Sequence, residues 1–216
     1  MAGLQPPVLG ARDVDRVWYA AYGSNMSRAR FEFYLNGGRP PGGARSYPGC
    51  RDGVLAGDSV PVVMAGQVYF ALESAVWGGG MAFYDPGAAG VAAGRAYPVS
   101  PGQFSDVVAQ EMHRVPSGDV DLSAVLSTGR AALGPERYET LVYVGDIEDR
   151  PVLTFTAPWG MGDVTVRRPS ERYLTMLAAG LAESHEWLPS AVAEYLAGLP
   201  GARGAWGAAE ILRLLG

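Results

Sequence analysis

The segment Val17–Phe31 constrains the fold more than any other stretch, because it changes from strand to helix within a few residues. It reads VWYAAYGSNMSRARF. Val17–Tyr22 is a short, mostly apolar run, which is typical of a buried strand. Ser27 is a suitable N-cap residue, and apolar side chains follow it at helical spacing. The sequence therefore predicts a tight turn at Gly23–Asn25 between the first strand and the first helix.

Beyond this segment, strands and helices are mixed without strict alternation. Residues 36–66 are rich in Gly and Pro and are expected to form one long loop, which in a compact domain is usually functional or mobile. The predicted strands are Gln67–Glu73, Met81–Tyr84, Val91–Val99, Thr140–Gly145 and Val152–Thr156. The predicted helices that follow the last strand are Ser170–Ala182, Ser190–Ala197 and Ala205–Leu215. This order favours an α+β fold, with a mixed β-sheet or small β-barrel and flanking helices, over a doubly wound fold.

The chain is long enough for one domain with a buried core, since it has 216 residues. Residues 1–16 lack periodicity and are predicted to be a flexible leader, followed by one domain over 17–200. Residues 201–216 are predicted to be a C-terminal helical extension. Because this extension looks exposed, it could pair with a second copy, so an oligomer is possible.

Composition excludes several classes of function. The net charge is −5 and no basic stripe occurs, which argues against nucleic-acid binding. All 17 basic residues are Arg, so a lysine nucleophile, a lysine Schiff base and the lysine of a phosphate-binding loop are excluded. Cys50 is the single cysteine, which favours a reducing compartment such as the cytoplasm. No apolar run approaches about 18 residues, so no membrane span is expected.

The stretch SPGQFSDVVAQEMHR, residues 100–114, predicts a helix that carries a carboxylate on its apolar face. Ser100 is the expected N-cap, and Pro101 suits the first helical position. The apolar face is defined by Phe104, Val107, Val108 and Met112, and the polar face by Gln103, Asp106 and Gln110. Glu111 follows Phe104 by seven residues and Val107 by four, so it lies on the apolar stripe.

Two interpretations of Glu111 remain open from the residues alone. A buried carboxylate without a charge partner is costly and has a raised pKa, and such groups cluster at active sites because they suit proton transfer near neutrality. Alternatively, the helix ends at Gln110, and Glu111 turns into water or pairs with Arg114.

The Gly23–Asn25 turn could bind an anion or a carbonyl oxygen. Backbone N–H groups at the start of a helix lack internal partners and share the positive end of the helix dipole. An ordinary strand–helix turn is the alternative. The stretch YGSNM is not the G-x-S-x-G element of serine hydrolases, because position 26 is Met. His113 and His185 are expected to be surface or capping residues, and with Cys50 they show no metal-ligand spacing.

Four segments, taken in order, resemble the γ-glutamyl cyclotransferase-like proteins, and actinobacterial members in particular. They are AYGSNM, VWGGGMAFYDP, GRAYPVSPGQFSDVVAQE and RPSERYLTMLAAGLAESHEWLPSAVAEYL. The resemblance spans roughly residues 17–200, and the YGSN turn is its most specific part. It implies the α+β fold of that family.

The resemblance also implies roles for individual residues. The matched residues of the substrate-binding turn are Tyr22, Gly23, Ser24 and Asn25. Glu111 matches the general acid/base. Trp77 and Gly79 belong to the W-x-G-G element and are expected at the substrate, and Tyr138 matches a tyrosine that opens the next strand. Two departures are Met112, where the family usually has Gly, and the long segment 112–137 before Tyr138.

The implied reaction needs no metal or organic cofactor. The α-amine of a small-molecule γ-glutamyl substrate would attack its own γ-carbonyl, expel an amine and close 5-oxoproline. Glu111 would accept and return the proton. Two other interpretations are a non-catalytic member that binds γ-glutamyl or carboxylate ligands, and a different amide-cleaving enzyme on the same scaffold.

Overall fold

The computed structural model describes residues 3–12, 14–41 and 45–215. Within them, a six-stranded mixed sheet has the order β2-β5-β1-β8-β7-β6. Its strands are β1 Val17–Ala21, β2 Val60–Ala65, β5 Val91–Val99, β6 Arg130–Ala132, β7 Thr140–Ile147 and β8 Arg150–Thr156. A separate antiparallel hairpin consists of β3 Gln67–Ala71 and β4 Met81–Asp85. The helices are α1 Arg28–Asn36, α2 Pro101–Glu111, α3 Ser123–Thr128, α4 Glu171–His185, α5 Pro189–Gly198 and α6 Ala208–Leu214.

Strand β1 lies at the centre of the sheet, antiparallel to β5 and parallel to β8. All five of its residues are buried, as expected for a continuous apolar run that is covered on both faces. Helix α2 contacts β1 and β5, and the β3–β4 hairpin contacts β5 and β8. Only residues 22–27 separate this buried strand from α1, so the Gly23–Asn25 turn is fixed at the edge of the core.

The predicted α+β architecture with a mixed sheet and flanking helices is confirmed. The strands from β3 to β8 agree with the predicted ones, except that the sequence missed β6. The prediction of one loop over residues 36–66 is wrong at its end, because β2 pairs there with β5. Pro61 lies in this strand, and proline is tolerated there because β2 forms an edge of the sheet. Similarly, segment 112–137 contains α3 and all of β6.

The polar face predicted for α2 is not exposed. Gln103, Asp106 and Gln110 are 2%, 1% and 1% exposed, because residues 49–54 pack against them. The Gln103 Nε2 atom donates to the Val54 carbonyl at 2.8 Å, and the Asp106 carboxylate accepts from the Arg51 amide at 2.8 Å. The polar residues of α2 therefore form hydrogen bonds with the backbone of a Gly/Pro-rich loop instead of facing water.

The described part of residues 1–16 contacts β7. Gln5 exchanges two backbone hydrogen bonds with Asp146, at 2.8 and 2.9 Å. Arg12 forms an ion pair with the same Asp146, at 2.5 Å. At the other end of the chain, α6 packs against α4 and α5 and buries Ile211 completely. The division into leader, domain and extension stays a prediction. None of the described helices is both long enough and apolar enough to cross a bilayer.

Candidate functional site

Helix α2 presents Glu111 at its last residue. A reciprocal capping box fixes the start of the helix, since the Gln103 amide donates to Ser100 Oγ at 3.1 Å and the Ser100 amide donates to Gln103 Oε1 at 2.9 Å. Phe104 and Val107 on the apolar face are fully buried. One turn further on, the same face carries Glu111 to a cavity at the edge of the core, where its side chain is half-buried.

The cavity encloses about 110 Å³. Its walls come from the turn after β1, from α1, from residues 45–47 and 74–77, from the end of α2, from residues 137–138 and from α4. The predicted site residues that line it are Tyr22, Gly23, Ser24, Asn25, Trp77, Glu111 and Tyr138. Gly79 is not part of the lining. Residues far apart in the sequence thus converge on one carboxylate.

The Glu111 carboxylate is held by two donors. Asn25 Nδ2 donates to Glu111 Oε1 at 3.1 Å, and the Tyr34 hydroxyl donates a second hydrogen bond. Burial raises the pKa of Glu111 above its usual value, while Tyr34, the cations Arg30 and Arg45, and Asn25 lower it. Burial outweighs the other effects, so Glu111 is a stronger base than an exposed glutamate.

The turn after β1 is a short 3₁₀ helix over Ser24–Met26. Its internal hydrogen bonds run from the Met26 amide to the Gly23 carbonyl at 3.0 Å and from the Ser27 amide to the Ser24 carbonyl at 3.2 Å. The amides of Ser24 and Asn25 come before these bonds and stay outside them, as at any helix start. The Tyr97 hydroxyl donates to the Asn25 carbonyl at 2.8 Å, which fixes the turn against the sheet.

Gly23 lies at the cavity without an unusual backbone conformation. Its φ is −110°, which any residue can adopt. A Cβ atom there would lie 3.4 Å from the Tyr173 hydroxyl oxygen, on the cavity side of the turn. A larger side chain would therefore compete with Tyr173 and with a ligand for the same room.

Positive charge exceeds negative charge in the cavity. Arg30, Arg45 and Arg137 line it, together with the single carboxylate of Glu111. Arg30 is 6% exposed, and its guanidinium donates to the Tyr47 hydroxyl and lies 5.7 Å from the Trp77 ring centroid. Such a cavity suits a ligand that carries carboxylate groups.

Several buried tyrosines surround the same space. Burial raises the pKa values of Tyr19, Tyr22, Tyr34, Tyr138 and Tyr173 above the usual range for tyrosine. At neutral pH their hydroxyl groups therefore stay protonated and can donate hydrogen bonds.

Trp77, Gly79 and Tyr138 have different positions relative to the cavity. Trp77 stacks on Tyr173 with ring centroids 5.4 Å apart. Tyr138 has a φ of 63°, and its hydroxyl donates to the Ala82 carbonyl at 2.8 Å. Gly79 has a φ of 63°, and a Cβ atom there would lie 2.5 Å from the Arg168 carbonyl oxygen. Gly79 thus shapes the loop that carries Trp77, behind the cavity wall.

Four residues that line the cavity carry no sequence motif that would predict them, namely Arg30, Arg45, Tyr47 and Tyr173. Arg45 and Tyr47 lie in the Gly/Pro-rich loop, whose length was the available signal. Arg30 is five residues after Asn25 on α1, which places it near the turn. His113, expected at the surface, is exposed and also lines the cavity, and burial lowers its pKa.

A serine nucleophile needs a base at its hydroxyl group, and a metal centre needs several ligands close together. Across the described ranges, no hydrogen bond joins the Ser24 hydroxyl to a histidine or a carboxylate. In the same part of the chain, no group of three or more His, Cys, Asp or Glu side chains is arranged to hold a metal ion.

Comparisons with known proteins gave one curated relative and two solved structures of interest. No family model matches the sequence. Histone deacetylase 5 of Arabidopsis thaliana is 32% identical over 185 residues, which cover 77% of this chain. The matched region is only 28% of the length of that relative.

Both solved structures align along almost their whole length. One is a γ-glutamyl cyclotransferase, with a TM-score of 0.51 at 13% identity over 93% of this chain and 98% of that chain. The other is an uncharacterized protein from Homo sapiens, with a TM-score of 0.53 at 14% identity over 94% of this chain and 99% of that chain. The chain therefore has the γ-glutamyl cyclotransferase-like fold that its sequence motifs indicated.

Proposed function

We propose that the protein is a cofactor-independent γ-glutamyl cyclotransferase, which converts a γ-glutamyl amide into 5-oxoproline and a free amine. The observation that carries the proposal is the Glu111 carboxylate, which has a raised pKa and faces a cavity formed by the Gly23–Asn25 turn. The fold shared with a solved γ-glutamyl cyclotransferase supports it.

The chemistry requires one proton to be moved between two nitrogen atoms. An α-amine has a pKa near 8, so only about a tenth of it is free at pH 7. Glu111 accepts the proton from the α-amine as its nitrogen bonds to the γ-carbonyl carbon. Glu111 then donates that proton to the departing nitrogen as the original C–N bond breaks. No atom changes oxidation state, and one carboxylate serves as both base and acid.

The remaining groups bind and orient the substrate. The Ser24 and Asn25 amides are available to the substrate α-carboxylate or to the oxygen that becomes negative during attack. The excess of arginine in the cavity favours the α-carboxylate of the substrate. Since the attack is intramolecular, holding the γ-glutamyl chain in its folded conformer can supply several kcal/mol of the rate enhancement.

The decisive experiment measures release of 5-oxoproline from a panel of γ-glutamyl compounds. The wild-type protein should release it, and Glu111→Gln should lower turnover by about a hundredfold or more, because the amide cannot accept the proton. Glu32→Gln is a suitable control, since Glu32 is an exposed glutamate on α1. Wild-type turnover by Glu111→Gln would overturn the role of Glu111. Binding of γ-glutamyl compounds without any release would favour the non-catalytic interpretation.

A further inference from the structure

A second cavity opens directly beside the first, between α1 and α4. It encloses about 900 Å³, within the roughly 300–1,000 Å³ that is usual for small-molecule sites. We call it the α1–α4 groove. The residues shared by the linings of both cavities are Arg30, Arg45, Tyr47, Val76 and Trp77. These side chains therefore lie between the two cavities and contact both.

The α1–α4 groove is mainly apolar. The residues that make it so, beyond the shared ones, are Ala29, Phe33, Pro40, Pro41, Met176 and Ala179. Its other charged residues are Glu171 and Arg172, which are opposite in sign. Burial of apolar surface would stabilise a ligand group here by about 25 cal/mol per Å² removed from water. This chemistry favours an aliphatic or aromatic group over a polar one.

Two guanidinium groups stand where the groove meets the cavity. Within the described structure, the Nε atoms of both Arg30 and Arg45 are buried without a hydrogen-bond partner. Buried donors of this kind are normally satisfied. A carboxylate at the junction would accept from the guanidinium groups of these two arginines, which line both cavities, because a guanidinium donates in a fixed fork that matches carboxylate geometry. It would also offset the excess of positive charge around Glu111.

We propose that the groove binds the leaving amine, and that this amine is an α-amino acid with a large apolar side chain. The inference rests on the proposed cyclotransferase activity. In a γ-glutamyl α-amino acid, the carboxylate and the side chain are both attached to the carbon that bears the scissile nitrogen. The carboxylate then meets Arg30 and Arg45 at the junction, while the side chain enters the groove between α1 and α4.

The test compares three ligands that differ in one feature each. Affinity is measured by calorimetry with the Glu111→Gln variant, which should not turn the ligands over. γ-Glutamyl-phenylalanine should bind at least tenfold more tightly than γ-glutamyl-glycine, which lacks the side chain. It should also bind at least tenfold more tightly than γ-glutamyl-phenethylamide, which lacks the carboxylate. Values of kcat/KM with the wild-type protein should follow the same order.

A matched pair of variants tests the location. Ala179 and Ala182 are exposed alanines on α4, but only Ala179 lines the groove. Ala179→Trp should weaken γ-glutamyl-phenylalanine at least tenfold and leave γ-glutamyl-glycine unchanged, whereas Ala182→Trp should change neither. Equal affinity for the phenylalanine and glycine compounds, or equal effects of the two variants, would overturn the groove assignment. Equal affinity for the phenethylamide would overturn the assignment of an amino acid.

Failure of this inference can be told apart from failure of the proposed function. Release of 5-oxoproline by the wild-type protein without preference for the phenylalanine compound would uphold the activity and reject the subsite. A preference in binding without any release would uphold the subsite and reject the activity.

Discussion

At the scale of single residues, opposing electrostatic effects act on the pKa of Glu111. Burial disfavours its ionised form, while Arg30, Arg45 and two hydrogen-bond donors favour it. The pKa is raised, so burial has the larger effect. A carboxylate in this state can be regenerated as a base near neutral pH and still return its proton within one catalytic cycle.

The same raised pKa predicts how stability depends on pH. Below the pKa of unfolded Glu111, near 4, the group is protonated in both states and its ionisation costs nothing. As pH rises through its raised folded value, ionisation in the buried site removes stability. Glu111→Gln lacks this cost, so its melting temperature should exceed that of the wild-type protein by a margin that grows from pH 4 to pH 8. Calorimetry across this range measures it, with Glu32→Gln as control. A margin that shrinks with rising pH would contradict the direction of the shift.

The turn after β1 allows a second test at this scale. If Ser24 only donates or accepts a hydrogen bond, Ser24→Ala should lower kcat/KM by an amount that corresponds to about 1 kcal/mol of transition-state stabilisation. Gly23→Val should cost more, because its Cβ would lie 3.4 Å from the Tyr173 hydroxyl and its methyl groups would enter the cavity. Assays of both variants on one γ-glutamyl substrate give the order. A serine nucleophile predicts the reverse order and an acyl ester on Ser24, which intact-mass spectrometry would detect.

At the scale of elements, α2 does more than carry the carboxylate. Its polar face holds residues 49–54, and Arg45 just before them donates to the Gln110 carbonyl at 2.8 Å. The loop that supplies Arg45 and Tyr47 to the cavity is thus fixed to the helix that supplies Glu111. The contacts of one helix therefore set the relative position of the base and the nearby cations.

Two carboxylates that share Arg51 test this anchoring. Asp106 is 1% exposed in its side chain and accepts from Arg51 Nε at 2.8 Å, whereas Asp119 is 59% exposed. Asp106→Asn should lower the free energy of unfolding by about 1–3 kcal/mol, because a buried charge-assisted bond is lost. Asp119→Asn should cost at most about 1 kcal/mol. Urea unfolding of both variants measures the difference, and equal losses would show that the loop is not anchored through Asp106.

At the scale of the whole molecule, the cavity forms where the end of the central strand β1, the loop and α4 meet. Its lining supplies a base, donors and arginines, and the proposed cyclisation needs only these groups. Activity should therefore survive exhaustive dialysis against EDTA within about twofold, since proton transfer to and from Glu111 requires no metal. The measurement is 5-oxoproline release before and after dialysis. A complete loss that zinc restores would reject a metal-independent mechanism.

Local sequence signals predicted much of this arrangement. Apolar runs predicted most strands, because a strand that is buried on both faces consists of consecutive apolar residues. The Ser100 N-cap, the following Pro101 and the spacing of Phe104 and Val107 predicted the start and the rotation of α2. They therefore identified Glu111 as an unusual carboxylate without any knowledge of its surroundings.

What the sequence determined by itself was the local conformation around the Gly23–Asn25 turn and along α2. What only the tertiary structure decided was which distant side chains meet there. Arg45 lines the same cavity as Glu111 because residues 49–54 pack on the polar face of α2, which periodicity alone had assigned to solvent. The charge balance of the cavity and its position beside the α1–α4 groove depend on such long-range packing, for which no short stretch of sequence carries a signal.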